Sequence, residues 1–262
     1  MFDITCIPAL KDNYIWLLHK GRTAIVVDPG EAFPVEEALS REKLSLRAVL
    51  ITHAHADHQG GVAELIAMRP LEVFGPAAES ITAMTRPLQG GEAIDPDWDG
   101  GELKVIFVPG HTRAHLAYYG GGCLFCGDTL FAGGCGRVFE GTPEQMFDSL
   151  ERLALLPDET AVYCAHEYTE ANLRFAMAVE PGNRLLRARV NEVAVARAKG
   201  WATLPTTLTV EKATNPFLRC DSPEVVASAV RRMGPESLEK FRHFPDPRIV
   251  FSVLRAWKNE FR

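Results

Sequence analysis

Short apolar runs alternate with turn residues and with stretches of helical period over the first two thirds of the chain. Residues 2–7 and 14–19 read as strands separated by the turn-like Lys11-Asp12-Asn13. Ala24 to Val27 reads as a third strand, stopped by Asp28-Pro29-Gly30, and Val35 to Arg41 as a short helix. Ala48 to Ile51 is a strand, Val62 to Met68 a helix and Leu71 to Phe74 a strand. Residues 76–101, broken by Pro76, Pro87, Gly90-Gly91, Pro96 and Gly100-Gly101, are irregular. Leu103 to Val108 is the next strand, and Leu116 to Tyr119 with Cys123 to Cys126 makes a hairpin around Gly120-Gly121-Gly122. A glycine-rich loop, Gly127 to Arg137, follows. Thr142-Pro143-Glu144-Gln145 starts a helix that runs to about Leu155, with a capping Thr, Pro at the first helical position and Gln at the third. Thr160 to Cys164 is the last clear strand.

Beyond it the texture changes. The patterns at 169–179, 183–199, 222–233 and 247–258 are all helical. A boundary near residues 166–172 divides the chain into an α+β domain, 1–168, and a smaller all-helical domain, 169–262.

Candidate chemistry concentrates where strands end. Thr52 to Gly61 reads T-H-A-H-A-D-H-Q-G-G and places His53, His55, Asp57 and His58 within six positions. Residues two apart on an extended segment point the same way, so His53 and His55 can converge, while Asp57 and His58 follow after the chain begins to turn. His111, Asp128 and His166 each lie just past a strand that ends in turn residues, where a rigid scaffold presents functional groups. Seven candidate ligands, five imidazoles and two carboxylates, are too many for one catalytic zinc. They suit two metals sharing a carboxylate, and such a pair holds a bridging hydroxide that is nucleophilic at neutral pH. The centre would favour an anionic substrate.

Composition narrows the setting. The chain has 262 residues, 47% hydrophobic and 24% charged, with net charge −6 and no basic cluster, which argues against a nucleic-acid partner. No apolar run approaches the roughly 18 residues a membrane helix needs, and Met1-Phe2-Asp3-Ile4 does not begin a secretory signal. Six cysteines in a chain with ample core point to a reduced, cytoplasmic protein. Cys123-Leu124-Phe125-Cys126 has C-x-x-C spacing, but residues three apart on a strand face opposite sides, which makes it weak as a zinc or redox motif. His115 is expected to support the loop beside the centre; His19 and His243 stand alone.

The T-H-A-H-A-D-H run, Pro109-Gly110-His111-Thr112, Gly127-Asp128-Thr129 and the late His166 resemble the metallo-β-lactamase superfamily, whose fold is a four-layer αββα sandwich with a dinuclear site at one edge. Gly134-Cys135-Gly136-Arg137, His166-Glu167-Tyr168-Thr169, Asn215-Pro216-Phe217-Leu218-Arg219 and Arg255 to Phe261 are similar to the glyoxalase II (hydroxyacylglutathione hydrolase) family. The resemblance covers essentially the whole chain. It implies that His53, His55 and His111 hold one metal and Asp57, His58 and His166 the other, with Asp128 bridging. It also implies glutathione contacts from Arg137, Tyr168, Arg255 and Lys258, and a weaker one from Phe139, where some members carry Tyr. Asp28 would orient the metal site.

The implied reaction is hydrolysis of S-D-lactoylglutathione to glutathione and D-lactate, the second step of methylglyoxal degradation, by hydroxide attack that needs little acid help because a thiolate leaves readily. Zinc is the expected metal, with iron and manganese accepted by the same donors. A monomer acting on a small molecule is expected. The competing readings are a lactonase or β-lactamase-like hydrolase and a mononuclear-iron persulfide dioxygenase relative.

Overall fold

The computed structural model describes residues 2–234 and 246–261; Met1, residues 235–245 and Arg262 lie outside the described residues, and His243 with them. Strands β1 (Asp3–Ala9), β2 (Asn13–Lys20), β3 (Thr23–Val27), β4 (Ser45–Leu50), β5 (Glu72–Pro76) and β6 (Arg86–Leu88) form one sheet in that order. The first three pair antiparallel, and β3 to β6 run parallel. The second sheet contains β7 (Ala93–Ile94), β8 (Leu103–Phe107), β9 (Leu116–Gly120), β10 (Cys123–Gly127), β13 (Ala161–Cys164) and β14 (Thr206–Thr207), in the order β14-β13-β10-β9-β8-β7. A two-stranded ribbon, β11 (Leu130–Phe131) and β12 (Gly134–Cys135), lies inside the glycine-rich loop.

Alternation along the strands sorts the core. Trp16, Leu18, Ile25, Val27 and Leu50 point toward Val105, Tyr118 and Leu124 of the second sheet. Ile15, Leu17, Ala24, Val26 and Val49 point the other way, onto helices α1 (Phe33–Glu42) and α3 (Val62–Met68) through Val35, Leu39, Val62 and Leu65. Between these two helices lies a single helical turn, α2 (Ala56–Gln59). Helix α4 (Pro143–Ala154) opens with the expected capping box: Thr142 Oγ1 accepts from Gln145 N, and Gln145 Oε1 accepts from Thr142 N. The fold is the αββα sandwich.

Among the described residues, the helical part holds α5 (Thr169–Val179), α6 (Arg184–Ala198), α7 (Leu208–Thr214), a 3-10 turn (Pro216–Leu218), α8 (Pro223–Met233) and α9 (Pro247–Glu260). It is not purely helical, because β14 adds a strand to the second sheet. Leu204, Leu208, Phe217, Val250, Phe251 and Leu254 join the same apolar cluster as the inter-sheet residues. A buried polar knot links the halves. Glu211 accepts from Gly133 N (2.8 Å) and Asn215 Nδ2 (3.0 Å), and Asn215 Nδ2 also donates to Phe131 O and Gly134 O. Glu211 is paired with buried Arg189, so its charge is compensated.

Candidate metal centre

All five loops of interest leave the carboxyl ends of neighbouring strands at one edge of the sandwich. Trp16 Nε1 donates to Cys164 O (3.1 Å), Tyr118 Oη to Ile51 O (2.8 Å) and Leu116 N to Thr52 O (2.9 Å), which ties the sheets together there. Asp28, just past β3, takes a positive φ of 51°, a conformation Asp tolerates better than most residues. Its carboxylate accepts from Thr52 N (2.8 Å) and Thr52 Oγ1 (2.7 Å). His55 is still extended (φ −64°, ψ 146°), and the chain then turns through α2, so His53 and His55 share a direction while Asp57 and His58 take another. A Cβ on Gly30 would sit 2.2 Å from Asp57 O, so only glycine lets the loop after β3 close against this turn.

The structure brings all seven expected ligands together. His55 Nδ1 lies 2.9 Å from His53 Nε2 and 3.1 Å from His111 Nε2. On the other side, Asp57 Oδ2 lies 3.5 Å from both His58 Nε2 and His166 Nε2. Asp128 stands between the groups, with Oδ1 3.3 Å from His166 Nε2 and Oδ2 3.4 Å from His111 Nε2.

The outward nitrogens of four rings have acceptors that fix the tautomer. His58 Nδ1 meets Asp28 Oδ2 (3.0 Å), His166 Nδ1 meets Asp12 Oδ1 (3.0 Å) and His111 Nδ1 meets Arg137 O (2.8 Å). His53 Nδ1 faces Thr52 Oγ1 (3.0 Å), whose own proton goes to Asp28. Each of these rings therefore turns an Nε2 lone pair inward, as a metal requires.

Electrostatics agree. Burial and the neighbouring imidazoles push His53 well below its ordinary value, so it is neutral and free to bind a cation. Burial would lower His58, but Asp128, Asp28 and Asp57 outweigh it and raise the ring to about 9. Burial would raise the Asp128 carboxyl, yet His58, His166 and His111 hold it below the usual carboxylate range. The carboxylates around His58 call for positive charge at the centre. Buried His58 Nε2 and Asp128 Oδ1 lack any hydrogen-bond partner and lie 3.5 Å apart. A metal cation lying between the two would satisfy both at once. These residues fit a His/Asp centre for two metal ions.

The expected substrate residues line a cavity of about 460 Å³ that begins at His111 and Asp128. Arg137, Phe139, Tyr168, Arg255 and Lys258 all border it. Phe139 is 60% exposed, its ring 5.2 Å from that of His111. Tyr168 stacks flat on His166, with centroids 4.6 Å apart. Arg255 is buried at 5% exposure rather than standing at a solvated helix end. Its Nη1 donates to Cys135 O (2.8 Å) and Gly136 O (3.2 Å), while its buried Nε has no partner. Lys258 Nζ donates to Ala171 O (3.0 Å), and burial, with Arg255 beside it, lowers the ammonium to about 8. A larger cavity, about 680 Å³, lies beside the β1–β2 turn and touches none of the seven ligands.

Several contributors were not legible as such. Asp12 and Asn13 read only as turn residues, yet Asp12 meets His166, and Asn13 Nδ2 donates to Asp57 Oδ2 (3.0 Å). His115 supports the loop as expected: its Nε2 accepts from Asp128 N (3.2 Å). Cys123 and Cys126 are unpaired, as are the other four cysteines.

Comparison with known proteins places the chain. Residues 10–166 match the model of the metallo-beta-lactamase superfamily, and residues 167–261 that of the hydroxyacylglutathione hydrolase C-terminus. The chain is 52% identical to a hydroxyacylglutathione hydrolase of Dechloromonas aromatica and 50% identical to one of Vibrio cholerae, each covered over 100% of both chains. Among solved structures it resembles the BLEG-1 B3 metallo-beta-lactamase (TM-score 0.62, 23% identity, 83% of this chain and 99% of that one). It also resembles ETHE1 from Myxococcus xanthus (TM-score 0.62, 24% identity, 98% of each). At that identity both likenesses speak for the fold alone, and the lactamase-like and dioxygenase readings are not favoured. The chain belongs to the metallo-β-lactamase superfamily and, within it, to the glyoxalase II (hydroxyacylglutathione hydrolase) family.

Proposed function

We propose that this enzyme hydrolyses S-(2-hydroxyacyl)glutathione thioesters, S-D-lactoylglutathione in particular, to glutathione and a 2-hydroxy acid. The observation that carries the reading is continuity: one cavity runs from His111 and Asp128 to Arg137, Arg255 and Lys258. A metal centre at one end and cations at the other match a substrate with its scissile bond at one end and peptide carboxylates at the other.

His53, His55 and His111 would hold one ion, Asp57, His58 and His166 the other, and Asp128 both. When bound, divalent ions supply Lewis-acid polarisation and a water-derived nucleophile at neutral pH. Zinc suits these donors, and iron and manganese are accepted by them as well. Asn13 holds Asp57 by hydrogen-bonding both its carboxylate (3.0 Å) and its backbone carbonyl (3.3 Å). Tyr168 and Phe139 flank the reacting end, and Arg255 and the Lys258 ammonium, both bordering the cavity, can bind carboxylate through charge-assisted hydrogen bonds. The thiolate leaving group needs no dedicated acid.

Residues 1–168 then carry the metal centre with Arg137, Phe139 and Tyr168, and 169–262 form the helical glutathione-binding domain that supplies Arg255 and Lys258. Six unpaired cysteines suit a reducing, cytoplasmic setting, and no described helix is long and apolar enough to cross a membrane. A monomer acting on a small molecule, without nucleic acid, completes the reading. Loss of S-D-lactoylglutathione in the presence of metal-loaded protein tests it, with a thioester lacking the glutathione moiety as comparison. Equal turnover of both thioesters would refute the glutathione assignment.

A further inference from the structure

Each imidazole of the Asp57, His58 and His166 group has a carboxylate behind it, Asp28 or Asp12. The group formed by His53, His55 and His111 has no such partner on its rings except the shared Asp128 and the Thr52 relay. A carboxylate nevertheless stands behind it, applied to the backbone. Glu79, in the loop after β5 (Glu72–Pro76), is half-buried. Its Oε2 accepts from Ala54 N (2.6 Å), the peptide between His53 and His55. Its Oε1 accepts from Thr112 Oγ1 (2.5 Å) and Ala114 N (3.2 Å), on the loop that carries His111. The same segment grips the other side of Ala54: Gln59 Nε2 donates to Ala54 O (2.6 Å) and Ser80 O (3.2 Å), and Thr82 N donates to Gln59 Oε1 (2.7 Å).

We propose that Glu79 is the positioning residue of the three-histidine half, clamping the loops of His53/His55 and His111 so that their three imidazoles meet. Two loops from different sheets have to agree in position for three rings to converge, and one carboxylate spans both. Its three bonds come from neutral donors, so they are charge-assisted and geometrically demanding. The negative charge also lies on the side of the centre that lacks ring-bound carboxylates. Glutamine at this position keeps the length but presents an NH₂ to donors that need an acceptor, and alanine releases both loops.

The inference rests on the two-ion reading of the centre, and the test separates the two. Full-length wild type, Glu79→Gln and Glu79→Ala are loaded with zinc and dialysed against graded chelator, and metal per chain is measured. Imidazole NMR signals of histidine-labelled protein report which rings lose their ion. Wild type should retain two ions; fewer would defeat the two-ion reading itself. Both variants should release one ion at about 10- to 100-fold lower chelator concentration, the usual scale for loss of an outer partner. The affected signals should be those of His53, His55 and His111, while the second ion keeps wild-type retention. Wild-type retention of both ions overturns the clamp. So does equal loss of both ions, or loss of apo-protein circular dichroism in both variants, since Glu79 would then serve only the fold.

Discussion

Asp28 and His58 form a buried pair, with Oδ2 3.0 Å from Nδ1, and the same carboxylate holds the backbone and hydroxyl of Thr52. One side chain at the end of β3 therefore sets the first residue of the histidine run and the ring of its last. Asp28→Asn keeps the backbone, since Asn also accepts positive φ, but removes the charge behind His58. Metal retention by the Asp57, His58 and His166 half should fall about 10- to 100-fold in chelator titration. Unchanged retention would reduce the pair to a fold contact.

Asp128 faces both halves, one oxygen toward each. Asp128→Ala should weaken both ions and abolish thioester hydrolysis, whereas a residue serving one half would weaken only one. Metal analysis of the purified variant alongside its turnover decides the matter; near-normal values of both would remove Asp128 from the centre.

Lys258 provides the pH dependence. Its ammonium, lowered to about 8 by burial and by Arg255, is charged below that pH and neutral above it. If it binds a substrate carboxylate away from the scissile bond, KM should climb as pH rises through about 8 while kcat is little changed, as expected of uniform binding. Lys258→Arg, which keeps its charge throughout, should abolish the climb. Lys258→Ala should raise KM about 10- to 150-fold at neutral pH, from a charge-assisted bond of roughly 1.5–3 kcal/mol. A flat KM profile in wild type would remove Lys258 from substrate binding.

Arg255 should behave differently from Lys258 although both lie on one face of α9. It braces Cys135 O and Gly136 O as well as bordering the cavity. A Cβ on Gly136 would lie 1.9 Å from Asp128 O, so the braced loop packs directly against the bridging residue. Arg255→Ala should therefore lower kcat and melting temperature as well as raise KM. A pure KM effect would mean that the brace is dispensable.

A chain ending at Leu173 should fail to fold cooperatively. The cut removes β14 from the second sheet and Leu204, Leu208, Phe217, Val250, Phe251 and Leu254 from the shared core. Each buried side chain of that kind is worth about 1.5–3 kcal/mol, and together they rival the roughly 5–15 kcal/mol that keeps a domain folded. A sharp thermal transition near that of the full chain would show the sandwich to be independent.

Legibility followed the range of the interactions. Val62–Met68 and Thr169–Val179 match the periodic reading residue for residue, and the capping box at Thr142 is as read, because these signals are local. The seven inward groups were legible because each follows a strand end. β14 and α7 were not, since Thr206-Thr207 is too short to alternate and Leu208–Thr214 too short to show a period. Nor were the supporting carboxylates: Asp12 meets His166 across 154 positions, and Glu79 looks like any loop glutamate until two other loops are laid beside it. The burial of Arg255 was not legible for the same reason, because burial of a helix-borne cation depends on what packs over it.

The knot of Glu211 and Asn215 on Gly133, Phe131 and Gly134 has a consequence for biosynthesis. A nascent polypeptide leaving the ribosome has exposed every inward histidine and aspartate once His166 has emerged. The ribbon next to Asp128 still lacks Glu211 and Asn215 at that stage, for both lie more than forty residues downstream. A prematurely terminated translation product would thus carry the ligands without the Glu211 and Asn215 bonds that brace the ribbon beside Asp128.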